Sequence, residues 1–117
     1  MTDSSRRERG RTQEERARRY LEDQGLHLRE RNFLTRGGEL DLIMDHGDTL
    51  VFVEVRFRAD ARHGGALASI GRGKQRRIIR AALAYLQQRR VDRPCRFDVV
   101  ALDDNGLEWI RDAFQAD

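Results

Sequence analysis

Two acidic residues, Asp41 and Glu54, occupy the two halves of one stretch, Gly37 to Arg58, that carries the pattern of a β-hairpin. Its second half alternates strictly. Val51, Val53, Val55 and Phe57 fall on one side, and Phe52, Glu54, Arg56 and Arg58 on the other; this is the period of a strand rich in β-branched residues. Glu39 to Asp45 is a shorter apolar run, and His46-Gly47-Asp48-Thr49 between the two has turn chemistry. With a four-residue loop over His46 to Thr49, Ile43 faces Phe52, Asp41 faces Glu54, and Glu39 faces Arg56. Directly opposed residues hold their Cβ atoms roughly 4.5–5.5 Å apart, so two carboxylates would lie side by side in mid-sheet. Like charges in that arrangement destabilise a hairpin unless a proton or a cation is shared between them. Carboxylates from adjoining strands, with a cationic side chain two residues beyond the second, suit a Mg²⁺ site for phosphodiester chemistry. A register slipped by one residue would part the two acids, and an alternating strand with one charged side is commonly just half exposed.

The elements that must hold this hairpin follow from the rest of the chain. Residues 1–10 are polar and charged without apolar periodicity and read as a disordered basic tail. Arg11 to Gln24 are good helix formers, with Gly25 as a stop. Glu14, Ala17 and Leu21 share the face to be buried, which makes Glu14 an acid on an inward face or a first-turn glutamate favoured by the helix dipole. Leu26 to Leu34 reads as a first strand. Ala59 to Gly73 is a long loop, either a plain connection or one placed to close over substrate. A second helix runs from Ile70 or Lys74 to Arg90, with Ile79, Ala82 and Leu86 as its apolar stripe, widened by Ile78 and Tyr85. Phe97 to Leu102 is a strand for a sheet centre, and Leu107 to Arg111 returns from the Asp103–Gly106 turn. Trp109 is a core residue or a stacking platform for a base. The order helix, three strands, helix, two strands gives an α/β domain over residues 11–117, a mixed central sheet of about five strands flanked by helices.

Composition narrows the function. At 117 residues the chain makes one domain. The single cysteine, Cys95, excludes an internal disulfide, and no pair of histidines has ligand spacing, so no zinc is expected. No apolar run is long enough for a signal peptide or membrane span, and a soluble, cytoplasmic protein is expected, with no membrane partner. The net charge of +3 is carried almost wholly by arginine; Lys74 is the only lysine. A GC-rich coding bias would do this, and so would a phosphate-binding surface, because arginine forks match phosphate geometry. Arg72, Arg76, Arg77 and Arg80 crowd the start of the second helix beside Lys74. With Arg58 they are the candidate nucleic-acid contacts; Glu39 and Gln75 are candidate supports.

Gly38-Glu39-Leu40-Asp41 followed by Val51-Phe52-Val53-Glu54-Val55-Arg56 resembles the D…E-x-K signature of the restriction-endonuclease-like superfamily. More closely, the chain resembles the small bacterial YraN family of endonuclease-like proteins. Gly10, Glu14, Arg31-Asn32, Lys74, Arg96 to Val100 and Ala113-Phe114 extend the likeness over roughly residues 10–114. The resemblance implies a restriction-endonuclease-like fold and a Mg²⁺ site, with Mn²⁺ as substitute, held by Asp41, Glu54 and the Val55 backbone carbonyl. Glu14 would add a second-site or water-mediated ligand. The chain departs from the superfamily at Arg56, which stands where the lysine belongs and cannot act as a base. Arg56 would then stabilise phosphate charge, or Lys74 would reach the site from its helix.

The reading that results is a metal-dependent endonuclease hydrolysing phosphodiester bonds in DNA, branched or otherwise structured, with Asp41, Glu54, Arg56 and Lys74 as catalytic candidates and a homodimer as one possible state. The alternatives are a non-catalytic nucleic-acid-binding module with a degenerate nuclease fold, and a protein-interaction subunit whose arginines are only composition.

Overall fold

The computed structural model describes residues 3–57 and 70–116, with side chains from Arg7 onward. Arg58 and most of the Ala59–Gly73 loop expected from sequence therefore lie outside the described residues. The elements run α1 (Asp3–Asp23), β1 (His27–Leu34), β2 (Glu39–His46), β3 (Thr49–Phe57), α2 (Arg72–Arg89), β4 (Cys95–Asp103) and β5 (Gly106–Phe114). The five strands form one mixed sheet in sequence order. Neighbours are antiparallel except β3 and β4, which α2 connects in parallel, as a parallel pair requires a crossover.

A helix covers each face. Against α2 pack Leu40, Ile43, Leu50, Phe52, Phe97 and Val99, and Tyr85 meets Phe33 and Phe52 edge-on. Against α1 pack Leu42, Met44, Val51, Val53, Val100 and Leu102 around Ala17 and Leu21. The alternation of β3 thus sorts as the sequence predicts: Phe52, Glu54 and Arg56 belong to the α2 side, Val51, Val53 and Val55 to the α1 side. This fits the restriction-endonuclease-like architecture expected from the resemblance.

Several boundaries differ from expectation. Helix α1 begins at Asp3 rather than Arg11, taking in most of the segment read as a tail, because residues 3–9 hold no glycine or proline to stop a helix. The β2–β3 loop is two residues rather than four. His46 pairs with Thr49 across Gly47-Asp48, and Gly47 has φ +60°, the positive φ that a tight II′ hairpin needs at its first central residue. The longer and shorter loops are centred alike, so the register is unchanged: Ile43 faces Phe52 and Leu42 faces Val53. The buried stripe of α2 is Ile78, Ala81, Ala82 and Tyr85, with Ile79 and Leu86 at its margin, a rotation from the stripe expected. Trp109 packs against the α1-side cluster and donates from Nε1 to the fully buried Asp98 carboxylate at 2.9 Å, the core role among its two readings.

Candidate functional site

The β2–β3 ladder ends at Leu42 and Val53, and what happens there positions Asp41. In an antiparallel ladder hydrogen-bonded pairs alternate with non-bonded ones. Counting from His46 and Thr49, the next bonded pair past Leu42 and Val53 would join Leu40 to Val55. Instead the Val55 N–H donates to Asp41 Oδ2 at 2.9 Å. A side-chain carboxylate has replaced a backbone carbonyl, and the strands part. Leu40 then packs on the α2 side, as Ile43 does, which marks the break in alternation. The expected facing of Glu39 and Arg56 is lost for the same reason: Glu39 pairs with Leu34 of β1 and Arg56 with Ala101 of β4.

Beside Asp41 lies Glu54, only 6% exposed. Burial holds the Glu54 carboxyl well above the usual carboxylate range, and a hydrogen bond to Asp41 and the Asp41 charge push the same way. Lys74 and Arg56 oppose this shift. The Lys74 Nζ lies 3.9 Å from Glu54 Oε2, beyond hydrogen-bond distance, so its pull loses to burial and to Asp41. Lys74 gets there because it stands one turn before Ile78 on the inward stripe of α2, away from the arginines around it.

Asp41, Glu54 and Val55 line one cavity of about 220 Å³ with Arg9, Gly10, Gln13 and Glu14 of α1 and with Phe57. Glu14 is raised to about 7, by burial first and then by the charges of Asp41 and Glu39, against a hydrogen bond from Asn32. Asn32 itself holds a left-handed φ of +54°. Glu39 is also raised, through burial and Asp41, with Lys74 opposing. Three carboxyls thus feel Asp41 at close range.

The sequence pattern of the Uncharacterised protein family UPF0102 matches residues 13–102. The chain belongs to this family. It is 52% identical over 107 residues to a UPF0102 protein of Janthinobacterium sp. (strain Marseille), covering 92% of this chain and 87% of that protein. A UPF0102 protein of Dechloromonas aromatica (strain RCB) is 56% identical over 109 residues, covering 93% and 90%. One from Herminiimonas arsenicoxydans is 52% identical over 107 residues, covering 92% and 86%. This is the family resemblance, under the name YraN, seen in the sequence.

In this UPF0102 protein the donors at the cavity are carboxylate oxygens and, on the edge of β3 that Asp41 meets, the backbone of Val55. A residue's N–H and C=O leave an extended strand on the same edge, so the Val55 carbonyl belongs to that edge too. Such an all-oxygen set fits Mg²⁺ or Mn²⁺. Among the described residues no three histidine, cysteine, aspartate or glutamate side chains gather as a metal-holding group; Glu14 lines the same cavity as Asp41 and Glu54. The other sequence candidates divide. Arg72, Arg76, Arg77 and Arg80 are exposed on the first half of α2. Gln75 turns back to donate to the Ile70 carbonyl at 3.0 Å, which fixes the helix start rather than the site. Arg9 and Gln13 are site neighbours not anticipated, and Gly10 and Asn32 enter the sequence reading only through the family likeness. Gly10 lies one turn before Glu14 on the same face, a spacing legible once the helix is carried back past Arg11, and Arg9 and Gln13 line the cavity beside it.

Among the described residues no helix is long and apolar enough to cross a membrane.

Proposed function

We propose that this protein is a Mg²⁺-dependent nuclease that hydrolyses phosphodiester bonds in DNA, with Asp41, Glu54 and the Val55 carbonyl as the metal-holding set. One observation carries the reading. Glu54 is a buried acid that lines one cavity with a second acid, Asp41, at the point where Asp41 opens the β2–β3 ladder. An arrangement that concentrates carboxyls in the sheet is costly by itself and is relieved by a proton or a divalent cation.

When bound, a divalent cation there would supply positive charge to the scissile phosphate and lower the pKa of the water it holds. The chain's own groups do the rest. Glu54, whose carboxyl burial and the Asp41 charge hold above the usual range, would release its proton when a cation binds. Lys74, 3.9 Å from Glu54, is a cation with a removable proton, and Arg56 contributes charge alone. The exposed arginines of α2 hold flanking phosphates.

The non-catalytic reading is favoured by one specific feature, Arg56 in the place of the superfamily lysine. A panel of labelled duplex, branched and single-stranded DNA with Mg²⁺ or Mn²⁺, run beside Glu54→Gln, separates the two. Cleavage by the wild type and none by Glu54→Gln is the expected result. Salt-sensitive binding without cleavage by either protein sinks the nuclease reading and leaves the binding module.

A further inference from the structure

We infer that Gly10 marks the passage of a nucleic-acid backbone between α1 and the carboxylate pair, so that the first half of α1 is a wall of the binding site. This rests on the reading of the cavity as a phosphodiester site. Glycine is, after proline, the poorest residue for a helix interior, and Gly10 sits well inside α1. Two ordinary reasons keep a glycine in place, and neither applies. Its φ is not positive: among the described glycines only Gly25 and Gly47 have that conformation. Among the described residues, its own neighbours along the helix aside, no atom lies within 4 Å of where its Cβ would stand. Gly38 shows the contrast, with the Arg77 carbonyl oxygen 2.9 Å from its Cβ position.

Gly10 nevertheless belongs to the inward stripe of α1. It precedes Glu14, Ala17 and Leu21 at helical spacing, and Ala17 and Leu21 are fully buried against the sheet. One turn and more before them, the stripe meets, among the described residues, a cavity instead of sheet. That space is the cavity lined by Arg9, Gly10, Gln13 and Glu14 on one wall and by Asp41, Glu54 and Val55 on the other. A side chain at position 10 would narrow it. The rim has the chemistry of a nucleic-acid strand. Arg9 lines the cavity, and Arg7 and Arg11 are exposed on the same half of the helix, a basic surface for the phosphates of an approaching strand. Phe57, 41% exposed, lines the same cavity and offers a face for a base.

The test reads binding, with turnover suppressed. Fluorescence anisotropy with end-labelled duplex, four-way-junction and single-stranded DNA, and with duplex RNA, is run in EDTA for wild type, Gly10→Ala and Gly10→Leu. Gly10→Ala should weaken binding by roughly five- to tenfold, the scale of one displaced backbone interaction, and Gly10→Leu by more. The thermal midpoint should hold or rise, since alanine is the better helix former. Wild-type binding by both variants overturns the inference, as does a loss of binding that comes with a lowered midpoint, the mark of a structural glycine. If the variants bind normally while wild type cleaves and Glu54→Gln does not, the nuclease reading stands and the passage falls. If binding falls in graded order but no protein cleaves, the passage stands and hydrolysis falls. If wild type binds none of the four probes, both fall.

Discussion

The ammonium of Lys74 lies 3.9 Å from Oε2 of Glu54, so the chain's single lysine and its most buried glutamate meet although they belong to different layers of the fold. The superfamily places its lysine two residues after the glutamate on the same strand. Here that position is Arg56, and the lysine arrives from α2.

Lys74→Arg keeps the charge and much of the reach but removes the amine that can lose a proton. DNA binding should survive, while cleavage falls by about 10²-fold or more, the usual scale for losing a general acid or base. Arg56→Lys in the same assay should preserve or raise the rate. Equal rates for Lys74→Arg and wild type would make Lys74 an ordinary charge and leave the chemistry to the carboxylates and Arg56.

The position of Lys74 shows which features a sequence pattern carries and which it does not. The strict alternation of β3 and the centring of the β2–β3 turn are enough to bring Asp41 and Glu54 to one cavity, though not as a ladder pair, and to sort the sheet faces. They cannot show that Asp41 itself ends the ladder, because a side chain standing in for a carbonyl leaves no periodic trace. On α2 an apolar stripe drawn through Ile79 and Leu86 points Gln75 inward. The stripe that forms, through Ile78 and Tyr85, points Lys74 inward instead. Both stripes are apolar, and only packing against Phe33 and Phe52 decides between them. The cavity's α1 wall is hidden by polar composition, which reads as a tail although the residues are sound helix formers.

The β1–β2 connection should be intolerant of a single methyl group. A Cβ at Gly38 would stand 2.9 Å from the Arg77 carbonyl oxygen and 3.3 Å from the Arg77 Cβ, and helix backbone cannot swing aside as a side chain does. Gly38→Ala should therefore cost about 1–3 kcal/mol in urea unfolding. A variant as stable as wild type would mean the loop lifts off α2 freely.

The carboxyl cluster makes stability depend on pH and on metal. Glu14 is raised to about 7, so between about pH 4.5 and 7 the folded state keeps a proton that the unfolded state releases. Stability from this group is complete below the unfolded pKa and is lost as pH rises through that window, on the order of 1–2 kcal/mol after allowing for solvent in the cavity. Glu14→Gln should flatten the metal-free profile there. Glu54 shifts in the same direction, so Glu54→Gln should leave metal-free stability at neutral pH unchanged or raise it by about 1 kcal/mol. Mg²⁺ or Mn²⁺ should raise the thermal midpoint of wild type and not of Glu54→Gln, more strongly at higher pH because loading displaces protons. Equal stabilisation of both proteins would put the ion elsewhere.

The exposed arginines of α2 should behave as phosphate ligands and nothing more. Arg72, Arg76, Arg77 and Arg80 stand on the solvent side of the helix, while Lys74 and Ile78 turn to the sheet. Replacing one of them by glutamine should weaken binding to the same degree across unrelated DNA sequences, because phosphates carry no sequence. The slope of log K against log salt should shrink by about one unit for each arginine–phosphate pair removed. Cleavage measured at saturating DNA should stay near the wild-type rate, since an interaction made equally with bound substrate and transition state changes KM rather than kcat. A loss confined to some sequences would mean that these arginines read base edges, and an unchanged salt slope would remove them from the interface.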